Sequence, residues 1–163
     1  MSSCNPRRAK NFITMQALTD NVAEIQLSYR PTNRLGPVIA SSQDAYEELR
    51  LWFPEDTISL QERFVALYLN RTNRLLGAYL ASFGGITGTV ADPRLIISVA
   101  LKTAAVGIII AHNHPSGNLK PSRGDEELTS RIRDVAHLLD IKLLDHIILC
   151  NDGFYSFADS GII

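Results

Sequence analysis

Two short and nearly unbroken apolar runs, Phe64-Val65-Ala66-Leu67-Tyr68-Leu69 and Val106-Gly107-Ile108-Ile109-Ile110-Ala111, set the strongest constraint on the fold. A strand with one wet face alternates apolar and polar residues, so a run without alternation reads as a strand buried on both faces. Helical patterns that can supply the cover lie around them. Asp92-Pro93 marks a helix start with proline at the first helical position, and Ile96, Ile97, Ala100 and Leu101 carry that helix toward the second run. Leu128, Ile132, Val135, Ala136 and Leu139 form a second helical stripe. Asn70-Arg71-Thr72-Asn73 turns the first run into a strand over 75–83. Residues 143–149 read as a further strand, and Asn151-Asp152-Gly153 turns it into 154–157. The order strand, strand, helix, strand, helix, strand, strand predicts a mixed α/β sheet flanked by helices.

The front of the chain is less regular. Residues 1 to about 20 show no firm period and are expected to be poorly ordered or loosely docked. Ala23 to Tyr29 alternates as a half-buried strand does, and 30–37 holds two prolines and a glycine and reads as loop. Ser41 or Ser42 can cap a helix through Asp44, Tyr46, Leu49 and Trp52 that ends before Pro54. We therefore expect an accessory segment, a strand plus a helix, over 1–57, ahead of a domain over 58–163.

Composition narrows the classes. With 163 residues the chain suffices for one sizeable core, and a net charge of −1 gives no electrostatic case for nucleic acid or an anionic membrane. Its two cysteines, Cys4 and Cys150, make neither a disulfide framework nor a zinc-finger spacing. The apolar runs are too short to span a membrane, and the basic N-terminus lacks the apolar centre of a secretion signal. A soluble cytoplasmic protein is expected.

Chemistry concentrates where the second apolar run ends, at His112-Asn113-His114-Pro115-Ser116-Gly117-Asn118, followed by Pro121-Ser122-Arg123-Gly124-Asp125. In an extended segment alternate side chains share a face, so His112 and His114 point the same way and Asn113 points away. Two imidazoles and the Asp125 carboxylate make three ligands with a position left open, the arrangement a hydrolytic zinc site needs for its water. Ser122-x-x-Asp125 ahead of a periodic helix is also a capping-box signature, and the two roles are compatible. A general base is wanted nearby, and Glu24, Glu47, Glu48, Glu55 and Glu62 are candidates, Glu62 standing at the mouth of the first apolar run. His137 lies off the apolar stripe of its helix and reads as solvated. Asp145 and His146 read as hydrogen-bonding residues behind the ligands rather than as ligands. Arg94 belongs to an ordinary Pro-Arg helix start, and 84–89 lacks the lysine of a phosphate loop.

Glu62-x-Phe64, His112-x-His114 with Pro-Ser-Gly, and Ser122-x-x-Asp125 together resemble the JAMM signature of JAB/MPN metalloprotease-like domains. His-Asn-His-Pro-Ser-Gly with Leu144-Asp145-His146 is similar, more narrowly, to the bacterial RadC-like branch. The resemblance covers about residues 58–163. It implies a cytidine-deaminase-like mixed sheet flanked by helices, with zinc held by His112, His114 and Asp125. It further implies Glu62 as the base that activates water and Ser122 as a hydrogen-bond donor to the oxyanion, in hydrolysis of a peptide or isopeptide amide. Residues 1–57 carry none of the glycine-rich hairpin of the helix-hairpin-helix-like segment usual in longer members, and Asp92 stands where many members have an aromatic.

The leading expectation is thus a zinc-dependent peptidase or isopeptidase-type hydrolase acting on a peptide or protein. The alternative is a DNA-repair-associated or nucleic-acid-linked module with zinc as scaffold; no basic stripe with interleaved aromatics accompanies it. Two histidines and a carboxylate also make a non-haem iron triad, against which stand the His-x-His spacing and the mixed α/β order. Loops around 30–37 and 84–92 would set specificity, and an N-terminal strand completing a neighbour's sheet edge would give a homodimer.

Overall fold

The computed structural model describes residues 29–32, 35–84 and 91–163. The expected strand from Ala23 lies outside these residues except for Tyr29, as do Cys4, Glu24 and all of 85–90. Among the described residues the elements are α1 (Ser42–Arg50), β1 (Arg63–Leu69), β2 (Leu75–Phe83), α2 (Pro93–Thr103), β3 (Gly107–Asn113), α3 (Arg123–His137), β4 (Lys142–Cys150) and β5 (Gly153–Ser156). The strands form one sheet in the order β2-β1-β3-β4-β5. β1 is antiparallel to β2 and β3, β4 is antiparallel to β5, and β3 and β4 run parallel. Parallel strands need a crossover, and α3 supplies it.

The unbroken apolar runs are buried on both faces because the helices divide between them. Phe64, Ala66 and Tyr68 of β1 pack with Ile96 and Ala100 of α2 and with Ile132 and Ala136 of α3. Val65, Leu67 and Leu69 point the other way, onto Ala45, Leu49, Phe53 and Ile58. Residues 45–58 thus share a core with β1, β3 and β4. α1 is capped by Ser41, whose side chain accepts from the Asp44 amide while Asp44 accepts from the Ser41 amide. α2 begins at Asp92 with Pro93 following, and the Tyr68 hydroxyl donates to the Ile96 carbonyl at 3.0 Å, locking helix to sheet.

α3 buries a narrower face than its apolar stripe suggests. Thr129, Ile132 and Ala136 point inward, whereas Val135 is 40% and Leu139 42% exposed. Leu139 lies beyond the last helical residue, and Val135 lines a groove between α2 and α3. A polar residue, Thr129, occupies the buried line instead.

β4 carries an irregularity that matters to the site. Ile108 pairs with Leu143 but Ile109 pairs with Asp145, so the register skips Leu144. Such a bulge breaks the period-two alternation and re-aims every side chain beyond it. Leu143 joins the core on the α2–α3 side and Leu144 packs on the α1 side, yet His146 again reaches the α3 side, onto Thr129. Asp145, the first residue past the bulge, is held by the His146 amide at 2.7 Å, the Ser156 hydroxyl at 2.6 Å and the Ala158 amide at 2.9 Å. Burial raises its pKa, and these donors act against that.

Asn113, between the two histidines, points away from them and is fully buried. Its Oδ1 accepts from the Arg63 amide at 2.7 Å, and its Nδ2 donates to the carbonyls of Ile58 at 2.6 Å and Gln61 at 2.9 Å. The side chain therefore grips the backbone on both sides of Glu62. Asn113→Ala leaves these backbone groups without partners and should cost about 2–4 kcal/mol of stability. Urea denaturation checks this as a lower midpoint at unchanged slope.

Candidate metal centre

β3 ends in the motif, and strand alternation puts His112 and His114 on the face covered by α3. His112 is buried and its ring stacks against Phe64 across the β1–β3 pair, with centroids 5.9 Å apart. After His114 the chain turns at Pro115-Ser116-Gly117, where the Gly117 amide donates to the His114 carbonyl at 3.0 Å. Gly117 has φ of 77°, a left-handed conformation that glycine adopts without steric cost. The turn swings the Asn118 carbonyl back onto Nδ1 of His114. Asp125 enters from the first turn of α3. The expected capping box is present: Ser122 accepts from the Asp125 amide, and its own amide and hydroxyl both reach Asp125 Oδ2 at 2.7 Å. With Oδ2 so engaged, Oδ1 faces His112.

The ligand atoms converge. His112 Nε2 and His114 Nε2 lie 2.9 Å apart, Asp125 Oδ1 is 3.1 Å from the first, and Oδ2 is 3.6 Å from the second. His112, His114 and Asp125 are one group able to hold a metal ion. A carbonyl can only accept, so His114 carries its proton on Nδ1 and turns the lone pair of Nε2 toward His112. His112 Nδ1 contacts His146 Nε2 at 2.9 Å, leaving its own Nε2 for the shared space. Nitrogen and carboxylate donors at this separation repel one another unless a proton or a metal ion lies among them, and with both imidazoles neutral the donor set fits a metal ion.

The electrostatics agree. The pKa of His114 is raised, first by the hydrogen bond with Asp125, against the opposing effect of burial; the Asn118 carbonyl and the charges of Asp125 and Glu62 add to it. For Asp125 burial acts upward, but the two imidazoles and Ser122 outweigh it and hold the carboxyl well below the usual carboxylate range. His146 is completely buried between the rings of Phe64 and Phe157, and burial pushes its pKa far down, so it is neutral.

Glu62 immediately precedes β1 and is part-buried, its carbonyl accepting from the Gly84 amide at 2.9 Å. β1 and β3 pair as far as Phe64 and His112, and Glu62 and His114 lie two residues beyond that last pair on the two strands. The charge of Glu62 registers at His114, as the shift there requires. Ser122 sits at the exposed start of α3 with its hydroxyl hydrogen committed to Asp125. The five residues named from the sequence are thus gathered at the ends of β1 and β3 and the beginning of α3. His137 is exposed. Arg94 is exposed and bound to its own cap residue, Asp92, at 2.7 Å. A groove of about 720 Å³ between α2 and α3, lined by Asp92, Arg94, Leu101 and Arg131, contains none of the five.

Sequence reasoning did not assign Thr129 or the Asn113 grip. Thr129 was legible only as an interruption of the α3 stripe, and Asn113 only as a residue facing away.

The RadC-like JAB domain family profile matches residues 39–162. A UPF0758 protein of Flavobacterium johnsoniae is 40% identical over 124 residues, which cover 76% of this chain and 53% of that protein. One from Chlorobaculum parvum is 34% identical over 142 residues, 87% of this chain and 63% of the relative. One from Aquifex aeolicus is 38% identical over 125 residues, 77% and 52% respectively. The chain therefore spans between half and two thirds of the length of these curated relatives. No helix among the described residues is long and apolar enough to cross a membrane. With the matched stretch running from ahead of α1 to the end of the sheet and containing every residue of the metal group, the chain belongs to the RadC-like JAB domain family.

Proposed function

We propose that this domain is a zinc-dependent hydrolase of the JAMM class, attacking a peptide or isopeptide amide of a protein substrate with water. The observation that carries the reading is the convergence of two imidazole nitrogens and one carboxylate, 2.9 and 3.1 Å apart at His112, beside a part-buried glutamate. His112, His114 and Asp125 would hold the ion. When bound, zinc supplies a Lewis acid that polarises a carbonyl and brings the pKa of a water to about 7.

The chain's own residues divide the remaining work. Glu62 takes the proton of the attacking water at its carboxylate and returns it to the leaving amine, a role for which its part-buried position beside His114 suits it. Asn113 holds the peptides flanking Glu62, so the base is placed by the same strand end that carries the histidines. Ser122 donates to the developing oxyanion, exchanging its present bond to Asp125 Oδ2 for one to substrate. Capping and oxyanion binding thus share one hydroxyl.

Purified protein should contain near-stoichiometric zinc by elemental analysis, and His114→Ala prepared identically should contain little. Glu62→Gln should retain zinc while lowering turnover of a peptide or isopeptide substrate by about 10²–10⁴-fold. Loss of zinc in that variant would instead make Glu62 structural.

A pH trend follows from the shifts. In metal-free protein the raised pKa of His114 adds stability that is full below its unfolded value of about 6.5 and is lost as pH rises through the raised value. A proton and a metal compete for the same nitrogen, so zinc affinity moves the opposite way. Burial holds the pKa of His146 down and acts on stability in the opposite sense, so zinc affinity is the clean readout: between about pH 6 and about pH 8 the rise in melting temperature produced by added zinc should grow.

A further inference from the structure

Behind the ligands lies a chain of contacts whose proton order can be worked out. Thr129 Oγ1, one turn into α3 from Asp125, bonds the Asp125 backbone carbonyl and also lies 2.6 Å from His146 Nδ1. His146 Nε2 is 2.9 Å from His112 Nδ1, and His112 Nε2 is 3.1 Å from Asp125 Oδ1. The path leaves Asp125 at its backbone and returns at its side chain.

The hydroxyl has one hydrogen and the carbonyl has none, so that hydrogen goes to the Asp125 carbonyl. Toward His146 the threonine oxygen can then only accept, which puts the His146 proton on Nδ1. His146 is fully buried between two aromatic rings, where a second proton would be an unpaired buried charge, so its Nε2 carries a lone pair. His112 must donate to that lone pair from Nδ1, and its Nε2 is left bare toward His114 and Asp125. The reverse order would set two unprotonated oxygens of Thr129 and Asp125 against each other. It would also place a proton on the ligand nitrogen of His112.

We infer that Thr129 and His146 are positioning residues that fix His112 in the tautomer able to bind a metal, tying β3 and β4 to the helix turn that supplies Asp125. The bulge at Leu144 is part of this device, because it turns His146 to the α3 side. The inference rests on the metal-site reading above.

Two measurements test it. Long-range proton–nitrogen NMR correlations on metal-free wild-type protein should find the proton of His146 on Nδ1 with Nε2 bare, and Nδ1 of His112 protonated. A proton on Nε2 of His146 overturns the inference whatever the variants do. Zinc dissociation constants from competition with a chromophoric chelator should weaken about 10–100-fold in Thr129→Val and stay close to wild type in Thr129→Ser. Unchanged affinity in Thr129→Val, or equal weakening in both variants, also overturns it. Wild-type protein that takes up no zinc defeats the metal reading instead, and the His146 proton then decides the relay by itself.

Discussion

Two imidazole nitrogens facing each other at 2.9 Å, with a carboxylate oxygen 3.1 Å from one of them, are the arrangement on which the rest of this domain depends. Brought together with neither a proton nor a metal ion among them they would repel, so the fold must hold them from behind. It does so through neighbouring backbone and side chains rather than through the ligands themselves. The Asn118 carbonyl fixes one ring, His146 the other, and the capping box at the start of α3 holds the carboxylate. The two ring supports engage the nitrogens that face away from the shared space, and the cap engages Oδ2 and leaves Oδ1 to His112.

These supports make the core and the site one construction. β3 is buried along its whole length, and the apolar residues that drive that burial lead directly into His112. Asn113 uses the opposite face of the same strand to anchor the backbone around Glu62, so neighbouring residues 112–114 organise both the candidate metal group and the chain at Glu62. α3 works in the same double way. Its N-terminal cap orients Asp125, its first buried residue is Thr129, and Ile132 and Ala136 then seat the helix on the sheet.

Much of this could be read from the residues, for reasons that are local. Unbroken apolar runs require two-sided cover, Asp92-Pro93 and Ser122-x-x-Asp125 are helix starts with a chemical cause, and alternation alone puts His112 and His114 on one face. The features that escaped are those in which a local rule is broken by packing. Strict alternation along β4 would set Leu143 and His146 on opposite faces, and the bulge reverses that. The α3 stripe pointed to Val135 and Leu139, which are exposed, because the helix ends at His137 and Thr129 takes a place on the buried line. α1 reads as a capped amphipathic helix, yet its burial against Val65, Leu67 and Ile109 depends on residues far along the chain.

What the residues determined unaided is the chemistry and its spacing: which side chains can bind a cation, which strand carries two of them, and which helix start carries the third. Periodicity and capping act over a few residues, so they survive in any fold that forms those elements. What the tertiary structure decided is the relation between elements: the charge of Glu62 brought near His114 at the ends of β1 and β3, and the protons of His112 and His146 arranged by a threonine on α3. Register and proton order depend on which strands pair and where one of them bulges. Those are outcomes of packing the whole sheet, and no short stretch of sequence encodes them.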